Sequence, residues 1–438
     1  MNLPLLLAAA LAASPAGASP AAPPSELPLP DALAELDRQS PSLAQSRARA
    51  DEASSLVRQA AAPLLPGLTA TGSATRNSDE ARINIGKLLT LPPGVAAPPP
   101  VTIQPLHSVS GAVTLRVPLL VPSAWFDLEA ARGGARSAAA QAEASRRALR
   151  ASLAATAFLG AAAEEAVTAT EQAVRNAAAL AESADRKVKA GTAAPLDALR
   201  ARTEQVKREG DLVRARADLD KVRLALGALL GRETPVRVTV PDEAPAAAPA
   251  GEEALVAEAL DHRPELAAAA AQVEGAEAQV RSAWARLAPQ LSASGSAFAA
   301  DVPYPTGAKD GWRATLDLTW PLYDGGLRYG KRREAEARVA GARAGAEAQR
   351  IAVGQEVRDA ARDVAVAAER LRLAGEQRRL AAEAAGTAQR TYEAGVASSL
   401  DVVDADDRLY AADIGLADAR ARLASARVAL DRALGRGP

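Results

Sequence analysis

The chain has 438 residues, enough for two or three ordinary domains, and its net charge of −1 gives no overall field that would attract nucleic acid, so we expect no nucleic-acid partner. Alanine dominates the 48% of hydrophobic residues and only 3% of the chain is aromatic, a composition that suits long, closely packed helices better than a compact core. The absence of cysteine excludes disulfides, thiol catalysis and cysteine-containing metal sites.

The first residues indicate export. An apolar run over residues 3–13 precedes the small-x-small pair Ala16 and Ala18, which is typical of a signal peptide, although no basic residue precedes the run. We predict a signal peptide over 1–18 and a disordered, Pro/Ala-rich leader over 19–30. The alternative is a single disordered Ala/Pro tail. No later stretch has about 18 consecutive apolar residues, so the sequence predicts no transmembrane helix.

The rest of the chain is a duplicated unit. Residues 263–266 (RPEL) match 40–43 (SPSL) at an offset of 223 residues, and 394–395 (AG) match 190–191 (AG) at an offset of 204. Each offset holds at further positions in its own part of the chain. The step between the two offsets indicates an insertion of about twenty residues in the first copy, within 77–108.

The first copy, 31–231, begins with helical periodicity from Asp31 to about Ala62. Two strands with alternating polar and apolar residues follow, and then a proline-free helix of nearly 70 residues, which at 1.5 Å per residue is roughly 100 Å long. Such a helix does not fit inside a compact domain. The predicted elements are strands over about 67–77 and 108–119, a long helix over about 123–190 and a return helix over about 196–230.

A Pro/Ala-rich connector over 232–251 leads to the second copy, 252–438, which repeats the same order. Its predicted elements are strands over about 290–301 and 312–321, a long helix over about 327–394 and a return helix over about 400–434. Strands of about ten residues suit a tilted crossing of a bilayer. Four strands with one apolar face do not close on themselves in lipid, so the chain must pool strands with copies of itself.

Four motifs of the second copy occur in a fixed order: 263–266 (RPEL), 289–291 (PQL), 320–326 (WPLYDGG) and 392–405 (YEAGVASSLDVVDA). Together they resemble the successive signatures of the TolC-like outer membrane efflux protein family, from about residue 31 to the C-terminus. The resemblance implies a mainly α fold with β structure, built from a duplicated helix–β-hairpin–long helical hairpin unit. It also implies a homotrimer with a 12-stranded outer-membrane β-barrel continued by a 12-helix periplasmic α-barrel. The first copy departs from the motifs, which weakens the transfer of residue roles to it.

The same resemblance implies the outer-membrane channel of a tripartite efflux or type I secretion system. Such a protein is a passive trimeric duct in the Gram-negative outer membrane, with a large periplasmic extension and a gate at the periplasmic helix tips. The implied partners are two further copies, a periplasmic adaptor protein, an inner-membrane pump of the RND or ABC type, and outer-membrane lipid. A rival from another class is a periplasmic coiled-coil adaptor or scaffold, which does not explain four amphipathic strands.

We expect no enzyme activity, no cofactor and no metal site. The two histidines, His107 and His262, lack a matched partner cluster, and phosphate-loop and nucleophile motifs are absent. Glu164-Glu165 and Asp406-Asp407 are interpreted as solvated helix faces.

The resemblance places a gate on Asp401 and Asp404, six and nine residues after the tip glycine Gly395. A three-residue step puts both on one helix face, where three copies would form two rings of carboxylates that attract cations. The alternative for Asp401 is a first-turn aspartate that favours the helix dipole. Tyr392 matches a position that braces the closed state, with simple packing between hairpins as the alternative.

Two further sets of residues complete the predicted sites. The exposed tip turns are available to an adaptor, through Gly191, Thr192, Ala193, Pro195, Gly395, Val396, Ala397 and Ser398. Aromatic residues beside the strands are typical of a membrane-interface girdle, with plugging of the strand–helix junction as the alternative. The interface residues are Trp125, Phe126, Trp312, Trp320 and Tyr323.

Overall fold

The computed structural model describes residues 25–84, 94, 96, 100–241, 251–303 and 307–437. The predicted signal peptide over 1–18 therefore lies outside the described residues, as do parts of the first-copy insertion and of the connector. None of the helices within the described ranges is long and apolar enough to span a membrane.

The duplicated helix–β-hairpin–long helical hairpin unit is confirmed. The first copy contains β1 (Ser25–Pro28), α1 (Leu29–Gln39), α2 (Pro41–Ala61), β2 (Gly67–Arg76), β3 (Ala81–Ile83), β4 (Val101–Gln104), β5 (His107–Leu120), α3 (Pro122–Lys189) and α4 (Pro195–Leu230). The connector contains β6 (Val236–Thr239), and the second copy contains α5 (Glu252–His262), α6 (Pro264–Ala285), β7 (Gln290–Ala300), β8 (Asp310–Thr319), α7 (Leu327–Glu393) and α8 (Ser399–Ala433). Four of the helices, α2, α3, α4 and α6, begin with proline, whose fixed φ and missing N–H suit the first helical position.

The prediction of a disordered leader is wrong for residues 25–30. Residues 25–28 form β1, which pairs in parallel with β6 inside the predicted connector, and α1 begins directly afterwards at Leu29. The physical reason is burial: Val236 and Val238 of β6 lie in one hydrophobic cluster with Leu33 and Leu36 of α1. This small sheet and its cluster fasten the start of the chain to α3 and α4.

The helices form a wall in which α3 and α7 run the whole length. Near the sheet their neighbours give the lateral order α2–α3–α6–α7, and toward the tips the order is α4–α3–α8–α7. The shorter helices abut end to end at two glycines with positive φ, Gly231 after α4 and Gly435 after α8. A Cβ on Gly231 would lie 2.8 Å from Pro41, and one on Gly435 would lie 2.9 Å from His262. Only glycine therefore allows α4 to meet the start of α2, and α8 to meet the junction of α5 and α6, this closely.

The sheet contains one hairpin from each copy, in the antiparallel order β2-β5-β7-β8. The register aligns the alternation of all four strands, so one face is apolar and the other carries mostly hydroxyl groups. The apolar face includes Leu68, Ala70, Val113, Leu115, Ala293, Ala297, Trp312, Leu316 and Leu318. The polar face includes Thr69, Thr71, Ser73, Thr114, Ser292, Ser294, Ser296, Arg313, Thr315 and Asp317. Among the described residues, β2 and β8 each have one edge without a partner.

Candidate functional site at the helix tips

The two helix tips have the same backbone turn. Gly191 and Gly395 follow α3 and α7 with φ of 71° and 77°. In each turn the next residue, Thr192 or Val396, donates its N–H to the carbonyl five residues earlier, at 2.9 Å in both cases. This pattern satisfies the free carbonyls at a helix C-terminus and needs a left-handed residue, which glycine supplies. The structure thus places the predicted tip residues on two equivalent, solvent-facing turns.

The start of the return helix differs between the tips. At the second tip, Ser398 and Asp401 form a capping box, in which the Ser398 N–H donates to the Asp401 carboxylate at 2.8 Å. This bond and the Ser398 hydroxyl hold the pKa of Asp401 below its usual value. At the first tip, the equivalent Asp197 accepts a hydrogen bond of 3.0 Å from the Ser399 hydroxyl instead. Asp401 therefore has the first-turn role that the alternative interpretation described, and Asp197 joins the two tips.

Asp404 lies one turn further along α8 and is exposed. Its carboxylate pairs with Arg408 at 2.8 Å, one turn further again, and both side chains remain mostly in solvent. The equivalent residue of the first copy is Arg200, which lies 4.0 Å from the Asp197 carboxylate. Helix capping does not account for Asp404, and this position is one at which the two tips differ in charge.

Tyr392 lies at the junction of the two helical hairpins. Its ring is only 4% exposed, and burial raises the pKa of its phenol. The Lys187 ammonium lies 3.6 Å from the ring centre and donates a hydrogen bond of 2.6 Å to the Tyr392 backbone oxygen. The hydrophobic cluster around the ring draws on α3, α4, α7 and α8, through Leu180, Ala181, Ala184, Ala198, Ala201 and Val402.

An ion network behind the tips was missed by the sequence interpretation. Arg208 of α4 has a side chain only 6% exposed, bonded to Glu204 at 2.8 Å and Asp211 at 3.3 Å on its own helix. It also pairs with Asp407 of α8, which receives a second bond from Lys207 at 3.1 Å. The interpretation of Asp406-Asp407 as a solvated face is therefore wrong. The sequence did contain a signal for this network: Glu204 and Asp211 lie four residues before and three residues after Arg208, on the same helix face.

Asp406 and Glu164 depart from the solvated interpretation in opposite directions. Burial raises the pKa of Asp406, and the nearby Arg208 charge only partly opposes this. Burial also disfavours ionised Glu164, but hydrogen bonds from Arg237 and Arg223, each at 2.8 Å, outweigh it and lower the pKa of Glu164. Glu164 thereby links α3 to α4 and to β6. Its neighbour Glu165 pairs with Arg420 of α8 at 3.1 Å.

The predicted interface aromatics lie at the strand ends. Trp312 is 80% exposed on the apolar face of β8, and Trp320 is exposed just past the other end of the same strand. The Trp320 indole donates a hydrogen bond of 3.1 Å to the Leu287 carbonyl, which fixes its ring beside the end of α6. Tyr323 is exposed beyond it, whereas Trp125 is exposed and Phe126 half-buried at the start of α3. All but Trp312 thus lie at the sheet's helical end.

Comparison with known proteins agrees with this geometry. The chain matches the family described as Outer membrane efflux protein over residues 32–232 and 255–436. Its fold is similar to the outer membrane protein VceC from Vibrio cholerae, with a TM-score of 0.76, 22% identity, and coverage of 93% of this chain and 96% of VceC. It is also similar to the CmeC outer membrane channel of Campylobacter jejuni, with a TM-score of 0.78, 16% identity, and coverage of 93% and 85%.

A third similar structure is the open state of the MtrE outer membrane channel of Neisseria gonorrhoeae. Its TM-score is 0.74 at 21% identity, and the similarity covers 93% of this chain and 89% of MtrE. No curated protein sequence matches the chain. The solved structures therefore define the fold, and the family match covers both copies of the repeat.

Proposed function

Because the chain belongs to the outer membrane efflux protein family, and is thus an efflux channel of the Gram-negative outer membrane with a periplasmic extension, we propose that three copies join head to tail into one passive duct. The observation that carries this proposal is that both the sheet and the helical wall have an unpartnered edge on each side of the chain. The sheet ends in β2 and β8, and the wall toward the tips ends in α4 and α7. Two different edges on the two sides of one copy fit a head-to-tail ring. A periplasmic coiled-coil adaptor does not fit this family.

The two outer helices carry exposed apolar residues at heptad spacing. On α4 these residues are Leu199, Val206 and Val213, and on α7 they are Val366, Leu373 and Leu380. A seven-residue apolar repeat is typical of a seam against another helix. Among the described residues of one copy, no helix covers these stripes. They meet when α7 of one copy lies antiparallel to α4 of the next.

The sheet supports three copies rather than two. Open strand edges are not tolerated in lipid, so β8 of one copy must pair with β2 of another. Two copies would give an eight-stranded barrel, whose interior is filled by side chains. Three copies give twelve strands and leave an open lumen. A duct therefore requires the larger barrel.

The apolar face of β8 marks the membrane band. Trp312 and Trp320 are both exposed, and eight residues at 3.3 Å each separate them by about 26 Å along the strand, which a tilt of about 40° reduces to about 20 Å of height. An outer-membrane barrel has an apolar band about 25 Å tall between aromatic girdles. We place Trp312 at one lipid interface, and Trp320, Tyr323, Trp125 and Phe126 at the other.

Cross-linking tests the ring. Val206 lies 11 residues into the duct from Pro195, and Leu380 lies 13 residues before Glu393, so both are about 17–20 Å from the tips. A chain with Val206→Cys and Leu380→Cys should give covalent dimers and trimers with a short bis-maleimide. Each single variant should stay monomeric, because a head-to-tail ring does not bring a residue next to the same residue of a neighbouring protomer. Double variants that stay monomeric in outer membranes would contradict the proposed trimer.

The proposed gate is the second tip of each copy, and Asp404 is its principal charge. The carboxylate is exposed and has an arginine, Arg200, at the equivalent first-copy position, so only one tip in two carries the acid. Asp401 contributes from one turn away while it caps α8. Three copies would bring these carboxylates into two rings, which attract cations. Tyr392 braces this arrangement from the hairpin junction.

Planar-bilayer recordings test the gate. Replacement of Asp404 with Ala should weaken block by divalent cations added at the tip end, and replacement of both Asp401 and Asp404 should weaken it further. Asp401→Asn is the useful companion, because the asparagine amide oxygen can still accept the Ser398 N–H of the capping box but carries no charge. Unchanged cation sensitivity in the double alanine variant would rule out the acidic rings.

The tip turns are the proposed docking site for a periplasmic adaptor that connects to an inner-membrane pump of the RND or ABC type. Val396 is an apolar side chain 83% exposed at the second tip, and Ala397 and Ala193 are half-buried beside the turns. A photo- or thiol-reactive probe at Ala397→Cys should form an adduct with the adaptor in cells. A probe at Arg38→Cys, far from the tips on α1, should not, and a missing adduct at Ala397 would contradict this contact.

A further inference from the structure

Arg313 is an unpaired positive charge on the polar face of the sheet. It lies on β8 opposite Ser296 of β7, and the same row continues through Thr114 of β5 and Thr69 of β2. Every other member of this row is a neutral hydroxyl residue. Within the described residues, Arg313 makes no ion pair, and its side chain is exposed.

The neighbouring copy would not neutralise this charge. In the proposed trimer, on which this inference rests, the free edge of β8 pairs with β2 of the next copy. The residues of β2 on the polar face are Gly67, Thr69, Thr71, Ser73 and Thr75. None of them is acidic, so the conclusion holds for any register between the two strands.

The other charged residues on the polar face of these four strands balance each other. Arg116 of β5 points its guanidinium at the Ser292 hydroxyl, at 3.4 Å. Ser292 is the cross-strand partner of Asp317 on β8. One base and one acid thus flank the same serine, toward the helical end of the sheet. Arg313 remains as the uncompensated charge; it lies on the same face of β8 as Asp317, four residues earlier in the strand.

Three copies would place three such arginines around one lumen. Twelve strands spaced 4.8 Å apart and tilted by about 40° have a radius of roughly 12 Å. The arginine side chains extend inward from that radius, and the screening length at physiological ionic strength is about 8 Å. The field of the ring therefore reaches across the opening. Rings of basic side chains select anions, and guanidinium groups bind carboxylate and phosphate with paired hydrogen bonds.

We propose that Arg313 forms a ring of three positive charges in the β-sheet part of the duct. This ring is an anion-selective filter, with affinity for solutes that carry carboxylate or phosphate groups. It lies at the opposite end of the duct from the acidic tips. The two ends therefore act on ions of opposite sign.

Ion selectivity tests this filter, with the tip acids removed so that only the sheet is measured. In an Asp401→Asn, Asp404→Asn background, the channel should favour chloride over potassium in a salt gradient. Arg313→Gln should lower that permeability ratio about sevenfold, the factor for a change of about one kT acting with opposite sign on the two ions. The matched control is Arg76→Gln, which removes the same charge from β2 on the opposite face and should leave the ratio unchanged.

Sided block by inorganic pyrophosphate gives a second measurement. Added at the sheet end, pyrophosphate should block the Arg313 channel, and Arg313→Gln should need about ten times more of it, a loss of one good charge-assisted contact. Heat-modifiable trimers on gels would show that the variants assemble. If Arg313→Gln channels keep both the chloride preference and the block, the filter is overturned while the duct stands. If cross-linking finds no trimer, both the duct and the filter are overturned.

Discussion

The Lys187 ammonium stacks 3.6 Å from the centre of the Tyr392 ring, and it also donates to the backbone oxygen of the same residue at 2.6 Å. Lys187 lies in the last turn of α3 of the first repeat, and Tyr392 lies in the last turn of α7 of the second. The contact therefore joins the tips of the two repeats within one chain. Ser399 and Asp197 make a second bond across the same junction, at 3.0 Å. Any opening that separates the two tips must break both.

Truncation of Tyr392 should loosen the tips. Tyr392→Ala removes a buried ring, a change that costs about 3–5 kcal/mol for large aromatic residues, and it also loses a cation–π contact worth about 0.5–2 kcal/mol. We expect a larger single-channel conductance and a lower melting temperature of the helical part. Tyr392→Phe keeps the ring and should behave like the parent, and Lys187→Met should have a small intermediate effect. A Tyr392→Ala channel with parental conductance would show that the ring does not restrain the tips.

Loss of Arg208 should separate α4 from α8. Arg208→Met leaves Asp407, Glu204 and Asp211 without their shared partner, and hydrogen bonds to charged groups contribute about 1.5–3 kcal/mol each. Arg208→Lys should lose part of this, because lysine lacks the planar fork. The matched control is Arg408→Met, which breaks the exposed pair with Asp404 and should cost at most about 0.5 kcal/mol.

A double-mutant cycle isolates the bond between the two helices. Asp407→Asn alone and Arg208→Met alone should each lower the free energy of unfolding, and their combination should lower it by less than the sum. Additive effects, measured by denaturant unfolding of the trimer, would show that the two side chains do not act together.

Much of this architecture can be predicted from local pattern. Period-two alternation predicts β2, β5, β7 and β8, because a strand with one apolar face must alternate. Glycine after a long proline-free helix predicts the two tips, because a left-handed residue is needed there. The offsets of the repeat locate the insertion in the first hairpin without any structure. These signals are all carried by neighbouring residues.

The features that the sequence did not reveal depend on distant partners. β1 has four residues and includes proline, and its pairing partner β6 is more than two hundred residues away. Asp407 sits on a helix whose local spacing indicates a solvated face, and only the packing of α8 beside α4 brings Arg208 to it. Local periodicity does not encode which helix lies alongside. The environment of charged side chains between packed helices therefore cannot be predicted from the local sequence and requires the three-dimensional structure.

The Glu164 link to β6 should depend on pH. The pKa of Glu164 is lowered from its usual 4.5 by Arg237 and Arg223, so its contribution to stability is fully present above pH 4.5. It is lost as the pH falls through the lowered, folded-state pKa. The melting temperature of Glu164→Gln should therefore lie below that of the parent at pH 7, and this gap should narrow as the pH falls below 4.5 and close once the pH is below the lowered pKa of Glu164.

A matched control separates this effect from general acid denaturation. Glu182→Gln removes an exposed carboxylate paired with Arg186 on the same helix, and such a pair contributes little. Its melting temperature should follow the parent at both pH values. A Glu164→Gln gap that stays constant from pH 7 to pH 3.5 would contradict a role for the ionised carboxylate.

The two faces of β8 should respond oppositely to the same substitution. Leu316 lies on the apolar face and Thr315 on the polar face, one residue apart near the middle of the strand. Arginine on the lipid face near the bilayer midplane costs about 2–4 kcal/mol per copy, whereas a lumen-facing arginine stays in water. Leu316→Arg should therefore abolish heat-resistant trimers in outer-membrane fractions, and Thr315→Arg should leave them intact while it changes ion selectivity. If both variants assembled equally well, the apolar face would not be the lipid face, and the membrane placement of Trp312 and Trp320 would be wrong as well.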